Sequence, residues 1–276
     1  MASVINTNIA SLNTQRNLSA SQAGLNTSLQ RLSSGLRINS GKDDASGLAI
    51  ATKMDSQIRG MNVAIRNSND AISFAQTADG GLSKVTDSLQ RMRELAVQGA
   101  NGTTDNASLA AEFGQLQEEI VRVSANTLFN GVNTLGSVAA AGVAFQVGAN
   151  NTANDSVTVT GVDLSAGDTA AAAAATILVD TAANSKLAIE AIDAAIIEVN
   201  DARATFGAVQ NRFESIVSNL QVSAENQSAA KSRIMDADFA AESANLTRGQ
   251  ILQQAGTAML AQANSLPNGV LALLRG

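Results

Sequence analysis

Both ends of this chain carry heptad-spaced apolar residues, whereas the middle carries none. A narrow stripe of this spacing runs along one side of a helix and needs a partner helix to cover it. The stripe near the N-terminus comprises Ile5, Ile9, Leu12, Leu18, Leu25, Leu29, Leu32 and Leu36. The stripe near the C-terminus comprises Leu252, Met259, Ala263, Leu266, Val270 and Leu273. The pattern predicts that the chain folds back so that its ends pair with each other or with other copies.

Aromatic residues, which contribute the largest buried area per side chain, are scarce. They make up 3% of the chain, there is no Trp or Tyr, and all seven Phe lie from Phe74 to Phe239. We therefore expect a compact core in the middle and ends that depend on neighbours. Packing within one chain would also account for the terminal stripes, but the lack of aromatic anchors favours their interpretation as polymerisation surfaces.

The composition argues against catalysis. The chain has no His and no Cys, which removes the commonest general base, thiol nucleophiles and most zinc or iron sites. We expect no enzymatic activity, no cofactor and no metal. The formal net charge of −6 argues against nonspecific nucleic-acid binding. No run of about 20 apolar residues is present, so no membrane span is expected.

Hydrophobic periodicity predicts long helices in the first half of the chain. The first covers residues 3–37 and ends at a turn-forming segment, residues 38–44. Periodicity resumes over residues 54–98, as one long helix or as two joined near Gly80–Gly81. A shorter helix is expected over residues 108–126, closing at an Asn-Gly turn.

The second half combines a hairpin with further helices. Alternating valines between Val143 and Val162 predict a β-hairpin with an Asn-rich tip. The middle region, rich in Ala and free of Lys and Arg, is expected to be an exposed acidic appendage. A long helix begins at about Asn184, and a break at residues 234–239 precedes the terminal helix. Pro267 is expected to fray the end of that helix. The fold class is therefore mainly α: a long antiparallel helical bundle or coiled coil formed by both termini, with a small central β-hairpin.

Several long strings, in the same order along the chain, are similar to the signatures of one family. They are Met1-Ala-Ser-Val-Ile-Asn-Thr-Asn-Ile-Ala-Ser-Leu12, Leu29-Gln-Arg-Leu-Ser-Ser-Gly-Leu-Arg-Ile-Asn39, Lys42-Asp-Asp-Ala-Ser-Gly-Leu-Ala49, Leu89-Gln-Arg-Met-Arg-Glu-Leu-Ala-Val-Gln98, Phe129-Asn-Gly131, Met235-Asp-Ala-Asp-Phe239 and Leu266-Pro-Asn-Gly-Val-Leu-Ala-Leu-Leu-Arg275. On these strings the chain resembles bacterial flagellin over nearly its whole length.

This resemblance implies a domain organisation. Residues 1–43 with 236–276 would form an inner terminal coiled-coil domain. Residues 44–165 with 184–235 would form a helical core domain that carries the hairpin at about 143–163. Residues 134–183 would be a variable surface region, too short to hold the outer domains that many flagellins carry.

The resemblance also implies a structural subunit of the helical flagellar filament, acting in motility and self-associating as a homopolymer. The other implied partners are a flagellar export chaperone, the secretion apparatus, the filament cap and the hook-associated proteins. Residues 1–17 lack a basic start and an apolar run, so we expect no cleaved secretion signal. Composition alone would favour the cytoplasm, but the resemblance implies export and an extracellular location in the filament.

One helical block has a second implied role. In flagellins sensed by a host Toll-like receptor, the block around residues 89–98 contacts the receptor. By position, the contact residues would be Gln90, Arg91, Leu95 and Glu112. The simpler interpretation is a charged strip, including Arg93 and Glu94, that faces solvent or a neighbouring subunit.

Several alternatives remain open. Asp43 and Asp44 could bind a metal, although adjacent Asp residues without a third ligand more often cap a helix. The hairpin tip at residues 150–155 could mimic a calcium loop, but it lacks the terminal Glu, so a plain turn is favoured. A hook–filament junction protein has similar termini, and a soluble secreted receptor ligand is a further alternative.

Overall fold

The computed structural model describes residues 7–101 and 106–275, except for the side chains of residues 266–275. It confirms the mainly α class. The helices are α1 (Ile9–Ser34), α2 (Ala45–Gly99), α3 (Asn106–Asn126), α4 (Ser137–Ala141), α5 (Asp168–Ala172), α6 (Ala182–Met235) and α7 (Phe239–Arg275). The strands are β1 (Leu128–Phe129), β2 (Val132–Asn133), β3 (Val143–Gln146) and β4 (Ser156–Val159).

The chain divides into two compact units. One contains Met1–Ser56 and Gln227–Gly276, and the other contains Gln57–Asn226. In the first unit α1 packs against α7. The contacts run from Asn8 with Ala263 at one end to Arg31 with Glu242 at the other, so the two helices are antiparallel.

The breaks that precede α2 and α7 lie side by side in the first unit. Gly35 ends α1 with a φ of 72°, and its carbonyl accepts a hydrogen bond of 2.9 Å from the N–H of Ala237. The N–H of Arg37 donates to the carbonyl of Met235 at 2.6 Å. The Asp238 carboxylate then caps α7 by accepting from the N–H of Ala240 at 2.9 Å. Local turn chemistry and reciprocal backbone bonds thus hold these paired breaks together.

In the second unit, α2 runs without interruption through Gly80 and Gly81, which resolves the alternative of two joined helices. At Gly80 a Cβ atom would meet open space, whereas at Gly81 it would lie 2.9 Å from Leu135 Cδ1 and from Thr127 Oγ1. Gly81 therefore permits the close approach of the chain that follows α3. Gly81 thus has a packing role, whereas Gly80 has none and is tolerated within the helix.

A phenylalanine cluster forms part of the core of the second unit. The ring of Phe74 makes edge-on contacts with Phe129 at 6.0 Å and with Phe145 at 5.9 Å. Phe145, on β3, makes a similar contact with Phe213 on α6, at 5.9 Å. The small strand pairs are thus held between long helices by aromatic contacts, consistent with the prediction that the core lies in the middle.

Both turn signals in this region produce antiparallel strand pairs. Asn130 and Gly131 have φ values of 49° and 79°, and they connect β1 to β2 through the tight turn that this dipeptide favours. Strands β3 and β4 pair from Val143–Val159 to Gln146–Ser156, which confirms the predicted hairpin. The hairpin tip contains a short 3₁₀-helix, Ala153–Asp155, which is stabilised by the Asp155 carboxylate accepting from the N–H of Thr152 at 3.0 Å.

The expectation that the middle region free of Lys and Arg is an exposed appendage was wrong. Apolar side chains along this region are buried in the same core as α2, α3 and α6, including those of Leu135, Val159, Leu164, Ala172 and Val179. Buried Gln117 on α3 holds the segment in place, because its Nε2 donates to the carbonyls of Ala172, Ala174 and Ile177 at 2.9 to 3.2 Å. Composition showed the lack of basic residues but not the inward direction of the apolar ones.

The prediction that Pro267 frays the terminal helix was also wrong. Helix α7 continues to Arg275. Proline lacks the N–H that would bond to the carbonyl four residues earlier, which belongs to Ala263. In this fold the side-chain amide of Asn8 donates to that carbonyl at 2.7 Å. A contact from the opposite end of the chain therefore replaces the hydrogen bond that the proline removes.

Candidate assembly surface of the terminal helices

The seam between α1 and α7 places leucines on glycines. A Cβ atom on Gly249 would lie 3.0 Å from Leu25 Cδ1, and one on Gly256 would lie 3.1 Å from Leu18 Cδ1. On both helices the contacting positions are seven residues apart, as expected for a coiled-coil seam. Because glycine has no side chain, the leucines lie close to the α7 backbone.

The covered positions of α7 repeat strictly by heptads. The buried or half-buried residues are Glu242, Leu246, Gly249, Gln253, Gly256, Leu260 and Ala263. Glycines, one Ala and polar residues make up most of this set, so α7 contributes few large apolar side chains to the seam. Since burial stabilises by about 25 cal/mol per Å² of apolar surface, most of the apolar contribution from this seam comes from the leucines of α1.

Polar contacts are found at both ends of the seam. Near the paired breaks, Arg31 Nη1 lies 3.8 Å from Glu242 Oε2, and the Glu242 side chain is only 10% exposed. At the other end, Asn8 bonds to the carbonyl of Ala263, and the Ser11 hydroxyl donates to Asn264 Oδ1 at 2.7 Å. These contacts are directional, unlike the leucine–glycine packing between them.

The predicted stripes divide into two sets in the structure. Leu18, Leu25, Leu32 and Leu36 are half-buried. By contrast, five stripe residues are between 46% and 65% exposed, namely Ile9, Leu12, Leu29, Leu252 and Met259. Ile5 lies outside the described residues, as do the side chains of Leu266, Val270 and Leu273.

The idea of one continuous stripe on α7 therefore needs correction. Leu252 and Met259 each lie three residues beyond a seam glycine, and they face away from α1. The most apolar heptad of α7 was predicted to face its partner helix. That prediction was wrong, because closely packed helices favour small residues at their contact. Exposed Ile251 and Phe239 were missed, although their apolar character was visible in the sequence. We call the exposed residues Ile9, Leu12, Leu29, Ile251, Leu252 and Met259 the outward apolar set.

Comparison with family models decides what kind of chain this is. The model for the bacterial flagellin N-terminal helical region matches residues 5–140, and the model for the C-terminal helical region matches residues 189–274. The chain belongs to the bacterial flagellin family. It is 47% identical to the flagellin of Halalkalibacterium halodurans, over 99% of this chain and 100% of that protein.

Other flagellar proteins match over similar lengths. The chain is 42% identical to Bacillus subtilis flagellin, over 98% of this chain and 99% of the relative. It is also 42% identical to the flagellar filament 33 kDa core protein of Treponema phagedenis, over 99% and 100%. As a flagellin, this chain is a structural subunit of the flagellar filament, which is extracellular.

No described helix is both long enough and apolar enough to cross a membrane. No group of three or more Asp or Glu side chains with metal-binding geometry occurs among the described residues.

Of the two aspartates in the first break, Asp44 caps α2 and Asp43 stabilises the turn that precedes it. Asp44 Oδ1 accepts from the N–H groups of Ser46 and Gly47, at 3.0 and 2.9 Å, at the start of α2. Asp43 Oδ2 accepts from the N–H groups of Ser40 and Asn39, at 2.9 and 3.1 Å. These backbone hydrogen bonds lower the pKa of both carboxyl groups. The cap prediction is confirmed for Asp44, whereas Asp43 binds backbone groups within the turn.

The structure brings three of the four predicted receptor residues to the surface. Gln90 and Arg91 are exposed on α2, and Arg91 Nε donates to Glu112 Oε1 on α3 at 2.8 Å. Arg91 Nη1 also donates to Glu94 Oε2 at 2.9 Å. The hydrogen bonds from Arg91 to Glu112 and Glu94 raise the pKa of the guanidinium above its ordinary value.

Leu95 differs from the other three predicted receptor residues. Its side chain is 1% exposed and belongs to the core. Leu95 follows Arg91 by four residues, slightly more than one helical turn, so the two side chains point in different directions and that of Leu95 points inward. The expectation that Leu95 is a receptor contact residue disagrees with this burial, and we do not propose it as a direct contact.

Proposed function

We propose that the terminal helices drive polymerisation of this flagellin through the outward apolar set. The observation that carries the proposal is the exposure of Ile9, Leu12, Leu29, Leu252 and Met259 while the α1–α7 seam is already occupied. Exposed apolar side chains concentrated on two paired helices favour burial against other subunits. Because these side chains are exposed in the single chain, the helix pair gains stability when neighbouring copies cover its outer side.

This mechanism couples ordering of the termini to assembly. Binding that occurs only in the folded state stabilises that state by mass action, so each added subunit would stabilise the terminal helices it contacts. The proposed domain boundaries are residues 1–43 with 236–276 for the assembly domain and residues 44–165 with 184–235 for the helical core. The name of the Treponema relative, a filament core protein, supports the same role for this chain.

Electron microscopy after salt-induced assembly tests the proposal. Leu29→Asp and Met259→Asp place a charge within the outward apolar set and should abolish filaments. Val138→Asp is the matched control, since Val138 is equally exposed, at 57%, but lies on α4 in the other unit. Circular dichroism should show that both assembly variants remain helical. Global loss of helix, or filaments of normal length, would contradict the proposal.

The wider partners follow from membership of a filament. We propose export by the flagellar secretion apparatus with an export chaperone, contact with the filament cap and hook-associated proteins, a role in motility and no catalytic activity. A hook–filament junction protein is the alternative. It would form no long filaments by itself, so the same microscopy distinguishes the two.

A second candidate function is recognition of the monomer by the flagellin-sensing Toll-like receptor. The observation in its favour is that Gln90, Arg91 and Glu112 lie together at the surface, joined by the Arg91–Glu112 ion pair. Two adjacent helices hold these polar groups, as is suitable for a binding anchor.

Binding of monomer to the receptor ectodomain tests this candidate. Arg91→Ala and Glu112→Ala should each weaken binding about tenfold or more, as typical of anchor residues. Arg122→Ala is the control, because Arg122 forms a comparable ion pair with Glu119 on α3. Equal binding by all variants would exclude this surface, and equal loss in the control would indicate a general charge effect.

A further inference from the structure

The carbonyl group of Ala263 lacks the usual helical donor. In an α-helix that carbonyl accepts from the N–H four residues later, and here residue 267 is a proline. Ala263 is 6% exposed, so water has little access to the group. A buried carbonyl without a donor is strongly destabilising. The helix therefore needs a donor from elsewhere at this position.

Asn8 supplies that donor and performs a second task with the same amide. Its Nδ2 donates to the carbonyl of Ala263 at 2.7 Å, while its Oδ1 accepts from the N–H of Ser11 at 3.0 Å and caps α1. The Ser11 hydroxyl, on a residue only 6% exposed, donates to Asn264 Oδ1 at 2.7 Å. An Asp or Ser side chain would cap α1 equally well. An ionised Asp carboxylate only accepts, and a Ser hydroxyl donates and accepts through a single oxygen, whereas the Asn amide has its donor and its acceptor on separate atoms.

We propose that Asn8 is a positioning residue that fixes the alignment of α1 with α7, and that Pro267 serves to leave the carbonyl of Ala263 available to it. The contact lies at the end of the helix pair opposite the paired breaks. It joins residues that are 255 positions apart in the chain. The first and last helices are thereby connected where no loop connects them.

The seam between the two ends cannot fix the alignment by itself. Its leucines and small residues both repeat every seven positions. A shift of α7 by one heptad would place Leu18 on Ala263 and Leu25 on Gly256, so each leucine would still meet a small residue. Such a shift is a translation of about 10 Å along the helix. The directional hydrogen bonds at both ends of the seam, those of Asn8 and those between the paired breaks, are lost in the shifted alignment, and together they distinguish it from the native one.

A double-mutant cycle on full-length protein tests the proposal, with the critical concentration for filament formation as the readout. Asn8→Ser keeps the cap and removes the amide donor. Pro267→Ala restores the helical N–H and makes Asn8 dispensable. Asn13→Ser is the matched control, because Asn13 is an exposed asparagine on the same helix. The critical concentration can be measured only if the proposed assembly occurs, and polymerisation of the wild-type protein tests that separately.

Asn8→Ser should raise the critical concentration about tenfold, as expected for one buried carbonyl left without a donor. Asn13→Ser and Pro267→Ala should each remain within about twofold of wild type. In the Pro267→Ala background, Asn8→Ser should have an effect of less than about twofold. If Asn8→Ser prevents assembly altogether, adding Pro267→Ala should restore it.

Three results would overturn the proposal. One is a critical concentration of Asn8→Ser equal to that of the wild type. The others are an equal effect of Asn8→Ser in the wild-type and Pro267→Ala backgrounds, and loss of filaments in Pro267→Ala alone. Failure of wild-type protein to polymerise would instead count against the proposed function. The two failures are therefore distinguishable.

Discussion

Leu25 lies against Gly249, with its Cδ1 atom 3.0 Å from the position that a Cβ on that glycine would occupy. This contact sets how closely α1 and α7 can approach, because no side chain on α7 separates the leucine from the backbone. A larger residue would force the helices apart or displace the leucine.

Gly249→Leu is therefore expected to destabilise the terminal helix pair by about 1–3 kcal/mol, the usual cost of overpacking. Filaments should dissociate at a lower temperature, which light scattering during heating measures. Gly24→Leu is the control, since a Cβ on Gly24 meets nothing within 4 Å. Equal dissociation temperatures for the two variants would contradict the importance of the Leu25–Gly249 contact.

Gln117→Met should loosen the segment that follows α5. The substitution removes the amide that donates to the carbonyls of Ala172, Ala174 and Ile177 while preserving side-chain length. We expect a loss of about 1–3 kcal/mol in the free energy of unfolding, because buried acceptors lose their donor. Limited proteolysis should show faster cleavage within residues 172–179. Gln115→Met, at an exposed position of the same helix, should leave the cleavage rate unchanged.

Phe74→Ala should cost about 3–5 kcal/mol of stability in the second unit, the range for deleting a buried aromatic ring. Its ring contacts both Phe129 and Phe145, so the cavity would adjoin both strand pairs. Urea unfolding followed by circular dichroism measures the change. Phe239→Ala, which removes a ring that is 58% exposed, provides the comparison. A similar small effect for both would argue against a phenylalanine-centred core.

Asp43 and Asp44 should make the first break sensitive to acid. Backbone hydrogen bonds, from Ser40 to Asp43 and from Gly47 to Asp44, lower the pKa of each carboxyl in the folded state. The stabilisation is therefore complete above the unfolded pKa of about 4 and is lost as the pH falls through the lowered folded pKa.

Thermal unfolding of the full-length protein at a series of pH values from 6 to about 2 tests this expectation. The variant with Asp43→Asn and Asp44→Asn should show a smaller decrease of melting temperature across the acid range than the wild type. Asp87→Asn, which alters an exposed acid on α2 that pairs with nearby Lys84, is the control. An unchanged pH dependence in the double variant would refute the role of these carboxylates.

Sequence patterns predicted the elements whose signals are local. The helix caps at Asp44 and the Asn130–Gly131 turn follow from the side chains present at those positions. The hairpin followed from alternation of valines with polar residues, which the pairing of Val143 with Val159 confirms. In each case the residues that decide the conformation lie within a few positions of one another.

Features that depend on distant residues were not visible in the sequence. The burial of Leu95 depends on the helices packed around α2, and the continuity of α7 past Pro267 depends on Asn8. The seam on α7 was misassigned for a similar reason, because Gly249 becomes an interface residue only when Leu25 lies opposite. Apolar periodicity identified helices but not which of their faces meet.

The β3–β4 hairpin also suggests how this filament subunit could carry foreign sequence. Strand pairing ends at Gln146 and Ser156, and the exposed tip between Asn151 and Thr152 lies outside the ladder. Doubling the length of a surface loop costs only about 0.6 kcal/mol, so a peptide inserted there need not disturb the core. In a polymer of identical subunits, one genetic insertion at this tip would place one copy of the peptide on every subunit, at the regular spacing of the filament.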